Sequence, residues 1–474
     1  MLQINQLKLN CEILNILDKK FYTITQSMPL QNPTFVSVNK KHAKELKIDE
    51  SALDSDDLLN LINGDFKSKG SIPYANAYAG HQFGYPVPQL GDGRALNLGK
   101  HNNYHLQLKG SGITEYSRSG DGRAVLRSSI REYLMSEAMA ALDIPTSRAL
   151  GIITSDTKVS RDGINEKGSI VLRTATSWMR FGSFEFAYYS KDKPKMLTQL
   201  ADYVIYENYP HLLEVENRYE ELYFEIVDKT ISLMVKWQSI GFMHGVINTD
   251  NMSIDGLTID YGPYAMMEKF DKKFICNHSD YEGRYSFENQ PYIAQWNLGI
   301  LSKVLSPIAN EELMNNYNDT FIAKYKKLYF KSIASKLGLD TYNFKKDAPL
   351  IVELFNALQE DNVDYTSFFY DLSKNILNLE GISINNWLAK YNIRLKKETI
   401  PNEERLTNMQ KVNPKYILRN YMIQDAIEKA EDGDFKLVNE LLYIAQNPYD
   451  EHNDFEHYTK PDDSIGTLIC SCSS

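Results

Sequence analysis

A change of periodicity partway along the chain sets what it can fold into. Between residues 71 and 180 the sequence is dense in Gly, Pro and short apolar runs, the pattern of strands joined by tight turns, with one helical insert at 126–142. Beyond residue 194 apolar residues recur at three- and four-residue spacing, and helices are expected at 221–239, 290–305, 311–337, 348–358 and 415–430. The fold class that follows is α+β, a smaller sheet-and-helix part followed by a large, mainly helical one. The polar stretches 155–168 and 396–412 are expected to be loops.

Charge and cysteine usage narrow the classes of function. The 52 basic residues are outnumbered by 62 acidic ones, and the pI is near 5.5. A nucleic acid or an anionic membrane would demand a basic surface, so neither partner is expected, and any polyanion site must be local. The four cysteines, Cys11, Cys276, Cys470 and Cys472, are too few for a disulfide framework and lack the Cys-x-x-Cys pairs of a zinc site. The first ten residues have neither the basic start nor the small-residue cleavage site of a signal peptide, and no window approaches the roughly eighteen apolar residues of a membrane span. A soluble, monomeric protein of the reducing cytoplasm is expected.

The chemistry concentrates in Phe242-Met-His244-Gly-Val246-Ile-Asn-Thr-Asp250-Asn251, followed by Ile259-Asp260-Tyr261-Gly262. In a protein-kinase catalytic loop an Asp two residues after the His accepts the substrate hydroxyl proton, a later Asn binds metal, and the Asp of a following Asp-Phe-Gly binds metal again. His244, Asn251 and Asp260 stand in those places, but the position of the base is Val246, which can neither accept a proton nor hold a metal. A carboxylate reappears at Asp250. This pattern implies that nucleotide and metal binding are kept while the chemistry at the phosphates has changed. Asp250 is the candidate proton acceptor, and Asn251 and Asp260 are candidate hard-oxygen ligands for Mg²⁺ or Mn²⁺. His244 is expected to be structural, bonded to backbone near Asp260, and a strand is expected at 252–259.

A phosphate-binding set can be assembled upstream. Tyr104–Lys109 alternates, with Tyr104, Leu106 and Leu108 on one side and His105, Gln107 and Lys109 on the other, the pattern of a half-buried strand ending in a lysine. The helix that follows carries Ile130, Leu134, Ala138 and Leu142 as its apolar stripe, with Ser128 or Ser129 available as N-cap and Glu132 and Glu137 off the stripe. A strand lysine paired with a helix glutamate is kinase architecture, and Glu132, in the first turns, is the better partner for Lys109. Standing alone, such a lysine is an ordinary surface charge.

Gly91-Asp-Gly93-Arg94-Ala95 is echoed by Gly120-Asp121-Gly122-Arg-Ala124. Such strings are most often plain reverse turns; here they stand just before the lysine strand and just before the glutamate helix, where glycines permit positive φ and close approach to a phosphate. Two similar turns are expected. Arg173 and Arg180, set among apolar and aromatic residues, need anionic partners, either internal carboxylates or a polyphosphate. With Arg94 and Lys109 they would bring four cations to one nucleotide, more than adenosine monophosphate alone would call for.

The strings Tyr78-Ala-Gly-His-Gln-Phe-Gly-Tyr-Pro-Val-Pro-Gln-Leu-Gly-Asp-Gly-Arg-Ala95, Leu106-Gln-Leu-Lys-Gly-Ser-Gly112, Asp121-Gly-Arg-Ala-Val-Leu-Arg-Ser-Ser-Ile-Arg-Glu132, His244-Gly-Val-Ile-Asn-Thr-Asp-Asn251 and the terminal Cys470-Ser-Cys472-Ser-Ser474 span nearly the whole chain. Together they resemble the selenoprotein O family. The resemblance implies a protein-kinase-like (pseudokinase) bilobal fold, with an N-terminal extension at 1–70, an N-lobe at 71–190, and a helical C-lobe with a cysteine-containing tail at 191–474. It also implies a protein adenylyltransferase that binds ATP in a flipped orientation and moves AMP, not phosphate, onto Ser, Thr or Tyr hydroxyls of protein substrates. By the same resemblance the nucleotide contacts fall on Gly91, Gly93, Arg94, Lys109, Asp121, Gly122, Arg173, Arg180 and Asp260, the base on Asp250, and the metal ligands on Asn251 and Asp260.

Where eukaryotic members carry selenocysteine, this chain has cysteine. The terminal thiols and the family's link to redox control suggest a regulatory disulfide between Cys276 and Cys470 or Cys472, against the alternative of free thiols on a tail. Kinase-type phosphoryl transfer, UMP transfer from UTP and a non-catalytic nucleotide-binding scaffold remain alternatives to AMP transfer. Val246 counts against the kinase reading and the full phosphate and metal set against the scaffold. For the disulfide, non-reducing peptide mass spectrometry after mild oxidation should recover a Cys276 cross-link to the tail; only free thiols would refute it.

Overall fold

The computed structural model describes residues 1–161 and 163–462. Its organising element is a nine-stranded sheet whose strands pair antiparallel: β1 (Tyr22–Ile24), β2 (Thr34–Val38), β3 (Tyr74–Gln82), β4 (Tyr85–Gly91), β5 (Ala95–His101), β6 (Tyr104–Lys109), β7 (Ala124–Val125), β8 (Arg148–Arg161) and β9 (Ile164–Ala175). The order along the sheet is β1-β3-β5-β6-β9-β8-β2, with β4 paired only to β3 and β7 to β9. Residues 155–168, expected as a loop, lie largely in the β8–β9 hairpin, where Lys158 pairs Lys167 and Ser160 pairs Asn165. The hairpin's outer end is exposed on both faces apart from Val159, so its alternation carries little apolar signal.

Both faces of the central strands are covered. On one face Leu96, Leu98, Leu106, Leu108, Ile153 and Leu172 pack against Ile4, Leu7, Leu46, Leu58 and Ile62 from the first seventy residues, which also contribute β1 and β2. On the other, the Leu126–Ala141 helix buries Ile130, Leu134 and Ala138 in a core that continues into the helical part. Lys109's strand is therefore buried on both sides, not half-buried, with His105 and Gln107 also out of solvent.

One expectation for that helix is corrected. Val125, in extended conformation and without a side-chain cap, stands at its N-cap in place of Ser128 or Ser129. Glu132 and Glu137, off the apolar stripe, are both buried, Glu132 against Lys109 and Arg173 and Glu137 against Arg148, and the Asn420–Glu431 and Lys436–Ala445 helices pack on this helix. Glu137 accepts two hydrogen bonds from the Arg148 guanidinium, at 2.9 and 2.7 Å, and one from the Ala149 amide.

The remainder is helical. Gln290–Leu305 matches its expected span, and Arg218–Ile240 and Phe344–Glu360 extend theirs. The run expected at 311–337 is two helices, Glu311–Asp319 and Phe321–Lys336, meeting at Thr320. The stretch 396–412 holds a helix, Asn402–Gln410, whose buried side is only Arg405 and Met409, too sparse a seam to announce itself. The last helix of the 415–430 region begins only at Asn420, and 252–259 forms turns instead of a strand. Among the described residues no helix is long and apolar enough to cross a membrane.

The connection that matters for function starts where the Arg218–Ile240 helix stops. Gly241, at φ +74°, ends the helix in the left-handed conformation that glycine tolerates best, and Phe242–Met243 then pairs with Ala265–Met266 in a two-stranded ribbon. The loop between these two short strands carries His244, Asp250, Asn251 and Asp260. Trp237, buried on the helix, stacks on His244 at 5.4 Å and donates to Thr258 at 2.9 Å, tying the loop to the core at two points.

Replacing Glu137 by Ala would remove two of the three carboxylate hydrogen bonds of the half-buried Arg148 guanidinium and the acceptor of the Ala149 amide, leaving Arg148 on Glu45 alone at 2.9 Å. Urea denaturation should show a loss of about 3 kcal/mol, with nucleotide affinity unchanged because Glu137 faces away from the cleft.

Candidate active site

A cleft of about 700 Å³ opens between the sheet and the 244–264 loop. Gly91, Gly93, Arg94, Lys109, Asp121, Gly122 and Arg173 line it from one side, and Val246, Asn251 and Asp260 from the other. Gly91 turns at φ +151° directly under the Tyr116 ring, where a Cβ would lie 2.3 Å from the nearest ring carbon. The loop after it is fixed from within, because the buried Asp92 carboxylate accepts from the Asn76 amide at 3.0 Å and the Asn97 side chain at 3.1 Å. The two Gly-Asp-Gly-Arg strings do not make the same turn. The positive-φ residue is the first glycine in one, Gly91, and the second in the other, Gly122.

At and beneath the floor of the cleft, three cations and two carboxylates share one network, of which Lys109, Arg173 and Asp260 line the cleft while Arg180 and Glu132 lie behind them. Lys109 Nζ lies 2.5 Å from Glu132 Oε2, and Arg173 reaches the other Glu132 oxygen at 2.6 Å. Arg173 also donates to Asp260 Oδ1, and Arg180 to Asp260 Oδ2, each at 2.8 Å, with Lys109 3.8 Å from the same carboxylate. Register explains part of this. Gln107 stands opposite Arg173 across β6 and β9, and its side-chain oxygen accepts a hydrogen bond from the guanidinium. The guanidinium groups also lie over aromatic faces, Arg173 over Trp178 at 4.7 Å and Arg180 over Tyr78 at 4.4 Å. Both arginines are 2% exposed, whereas the Asp260 side chain, at φ +54°, is 24% exposed and faces the cleft.

The electrostatics follow from burial against pairing. Desolvation alone would push the Asp260 carboxyl up, but Arg180, Arg173 and Lys109 hold it well below the usual carboxylate range. Glu132 is likewise held low, burial being offset by Arg173 and Lys109. Burial draws Lys109 down from its ordinary value, with Glu132 opposing. The network as a whole has one more positive charge than negative, and it opens onto a cleft that Arg94 also lines.

His244 is buried and bonds through Nε2 to the Ile259 carbonyl at 2.9 Å, beside Asp260, as expected for a structural residue. Burial lowers its pKa, so the ring is neutral and donates. Val246 puts an apolar wall where a kinase base would stand. The Asn251 side-chain nitrogen donates to the Val246 carbonyl at 2.9 Å, which leaves the amide oxygen as the atom to offer a ligand. Among the described residues no three His, Cys, Asp or Glu side chains cluster as a metal site of their own. Asn251 and Asp260 nevertheless supply the donor set, one amide and one carboxylate oxygen, that suits a hard dication taking its remaining ligands from phosphates and water.

Asp250 sits beside the cleft without lining it. Its side chain is buried, the residue being 7% exposed, and Gln82 Nε2 donates to its Oδ2 at 3.2 Å. Oδ1 is buried without a hydrogen-bond partner among the described residues, pressed toward Gly80, where a Cβ would come within 2.5 Å of it. Burial raises the carboxyl to about 6, with Gln82 and Arg180 pulling the other way. Asp121 lies at the outer rim, held by the Arg161 guanidinium at 2.8 and 2.9 Å. Cys276 is buried behind the loop, against Gly245, with its Sγ directed at the Met243 carbonyl. Cys470 and Cys472 lie outside the described residues.

The cleft also contains residues the motif reading passes over: Gln82, Tyr116, Arg118, Arg123 and Arg161. Gln82 and Arg123 stand inside quoted motif strings, the available signal for them, whereas Arg161 arrives only through the β8–β9 hairpin.

Comparison with known proteins gives a consistent answer. The family model described as "Protein adenylyltransferase SelO" matches residues 5–446. A protein from Aliivibrio fischeri strain MJ11 named "Protein nucleotidyltransferase YdiU" is 42% identical over 473 residues, covering 97% of each chain. Proteins of the same name from Vibrio parahaemolyticus and Myxococcus xanthus are also 42% identical, covering 97% and 94% of both chains respectively.

Asp250 is a carboxylate whose pKa in the fold, about 6, exceeds its ordinary 3.8. Its burial therefore costs nothing below the lower value and the full amount above the higher one. Asp250→Asn should stabilise the chain by about 2 kcal/mol near neutral pH, the gain fading as the pH falls through 6. Parallel urea titrations at neutral and acidic pH would reveal it, and an equal gain at both would contradict the assignment.

Proposed function

The chain belongs to the SelO family of protein adenylyltransferases and is a nucleotidyltransferase; on that footing we propose that it transfers AMP from ATP to Ser, Thr or Tyr hydroxyls of protein substrates, releasing pyrophosphate. One observation carries the reading. The Asp260 carboxylate is shared by Arg173, Arg180 and Lys109 at the floor of a cleft whose kinase-base position is the apolar Val246. A site with that charge holds a polyphosphate, and without a base at residue 246 it is not built to activate a hydroxyl for attack where a kinase would.

In the proposed reaction the outer phosphates of ATP meet Lys109, Arg173 and Arg180, and the α-phosphorus lies on the Asp250 side. The acceptor O–H bond breaks as Asp250 takes the proton, and the hydroxyl oxygen forms a bond to the α-phosphorus. The bond from that phosphorus to the oxygen bridging to the β-phosphorus breaks, and pyrophosphate leaves with the electron pair. Negative charge grows on the departing group, where Lys109 and the two arginines already stand, so little reorganisation is needed as it forms. Glu132 keeps Lys109 in place at 2.5 Å. Asn251 and Asp260 would hold Mg²⁺ or Mn²⁺, which when bound supplies further positive charge to the phosphate oxygens.

The sheet-bearing part at 71–190 and the helical part at 191–474 would correspond to the two lobes of a kinase-like fold, with 1–70 as an N-terminal addition. Proton acceptance by a carboxyl at about 6 predicts activity that falls as the pH drops through that value, since only the charged form is a base.

ATP labelled at the α- or the γ-phosphate, incubated with the protein, Mg²⁺ and cytosolic extract, separates the outcomes. Label on protein from the α position alone is expected; label from the γ position would replace AMP transfer with a kinase reaction, and label from neither would leave a scaffold. Asp260→Ala should abolish transfer. Asp250→Ala should slow it at least about a hundredfold while leaving ATP binding largely intact.

A further inference from the structure

We propose that Gln82 is the positioning residue of the Asp250 base, its side-chain amide fixing which carboxylate oxygen meets the acceptor hydroxyl. The proposal rests on the AMP-transfer reading and adds a residue that the family motif contains but the mechanism has not used. Three consecutive residues at the end of β3 and the turn after it each donate to the 248–250 segment. The His81 amide donates to Thr249 Oγ1 at 2.6 Å, Gln82 Nε2 to Asp250 Oδ2 at 3.2 Å, and the Phe83 amide to Asn248 Oδ1 at 3.1 Å. Two of these bonds use backbone and set the register between strand and loop. The third uses a side chain and ends on the candidate base.

The strand end is itself anchored, so Gln82 has a fixed origin. His81 Nδ1 lies 2.6 Å from Glu185, whose carboxylate is buried on the Phe181–Tyr188 helix. Phe83 packs on Tyr285 at 5.3 Å, and the Tyr285 hydroxyl donates to the same Asn248 oxygen at 2.5 Å. Gly80, two residues earlier, gives Asp250 room to approach, since any side chain there would strike Oδ1.

The carboxylate needs such a partner. Oδ1 is buried without one, so the bond from Gln82 to Oδ2 is what distinguishes the two oxygens and resists rotation of the group. Gln82 also lines the cleft, which Asp250 does not, so Oδ2 is the carboxylate oxygen tied to a cleft residue. Arg180 favours the Asp250 carboxylate and Asp260 opposes it, so neither fixes which of its two oxygens faces which way, whereas the Gln82 hydrogen bond ends on Oδ2 alone.

The test compares full-length wild type, Gln82→Met and Asp250→Ala in AMP transfer from α-labelled ATP, with turnover counted per molecule that binds ATP. Methionine keeps the length of the side chain and removes the donor. For Gln82→Met, kcat should fall about tenfold, with ATP affinity and the KM for ATP unchanged. Referring turnover to ATP-binding molecules keeps the comparison valid even if the variant is less stable. A wild-type kcat in Gln82→Met, with Asp250→Ala inactive, would overturn the role of Gln82 and leave Asp250 as the base. Full activity in Asp250→Ala would overturn both.

Discussion

Everything in the cleft depends on how one carboxylate, Asp260, is shared. Arg173 takes one oxygen and Arg180 the other, each at 2.8 Å, and Lys109 stands 3.8 Å away on its own bond to Glu132. Three buried or nearly buried cations cannot be held together without such compensation, because each would otherwise carry the full cost of desolvation. On the proposed reading a bound polyphosphate adds to that compensation, and a hard cation held by Asp260 would let the arginines turn from their carboxylate to the phosphates.

In the proposed reaction the same arrangement separates attack from departure. Lys109, Arg173 and Arg180 are fixed on the sheet and on the lead-in to the Phe181–Tyr188 helix, whereas Asp250 is fixed on the loop after the Phe242–Met243 strand, behind Gln82. With Val246 in the usual place of the base, the proposed reaction assigns proton acceptance to Asp250. The α-phosphorus is the natural reacting centre if the outer phosphates occupy the arginine end. Burial gives Asp250 a pKa of about 6, strong enough for a base yet still charged near neutrality, at a cost in stability that the surrounding core absorbs.

Much of this was legible in the sequence, and the reason is locality. Lys109 and Glu132 can be paired because a lysine ending a strand and a glutamate in the first turns of the next helix match the kinase pattern. His244 can be set aside as structural because its spacing to Asp260 places it against that backbone. What sequence could not decide was the partner of each arginine, since Arg173 finds Glu132 and Gln107 only through the β6–β9 register. Gln82 lies 168 positions from Asp250 and is brought to it by the tertiary fold alone. The hairpin through 155–168 and the helix at 402–410 were read as loops for a related reason. Polar residues that lie on an exposed ribbon or helix look the same in a sequence as residues in a loop.

The most direct measurement is the identity of the small-molecule product, followed by phosphorus NMR as ATP is consumed with Mg²⁺ and an acceptor protein present. Pyrophosphate accumulating in step with modified protein, with no ADP, is what a polyphosphate held by Lys109, Arg173 and Arg180 and attacked at its α-phosphorus predicts. ADP accumulating instead would mean that the γ-phosphorus is the reacting centre, and the assignment of this cleft to AMP transfer would be wrong.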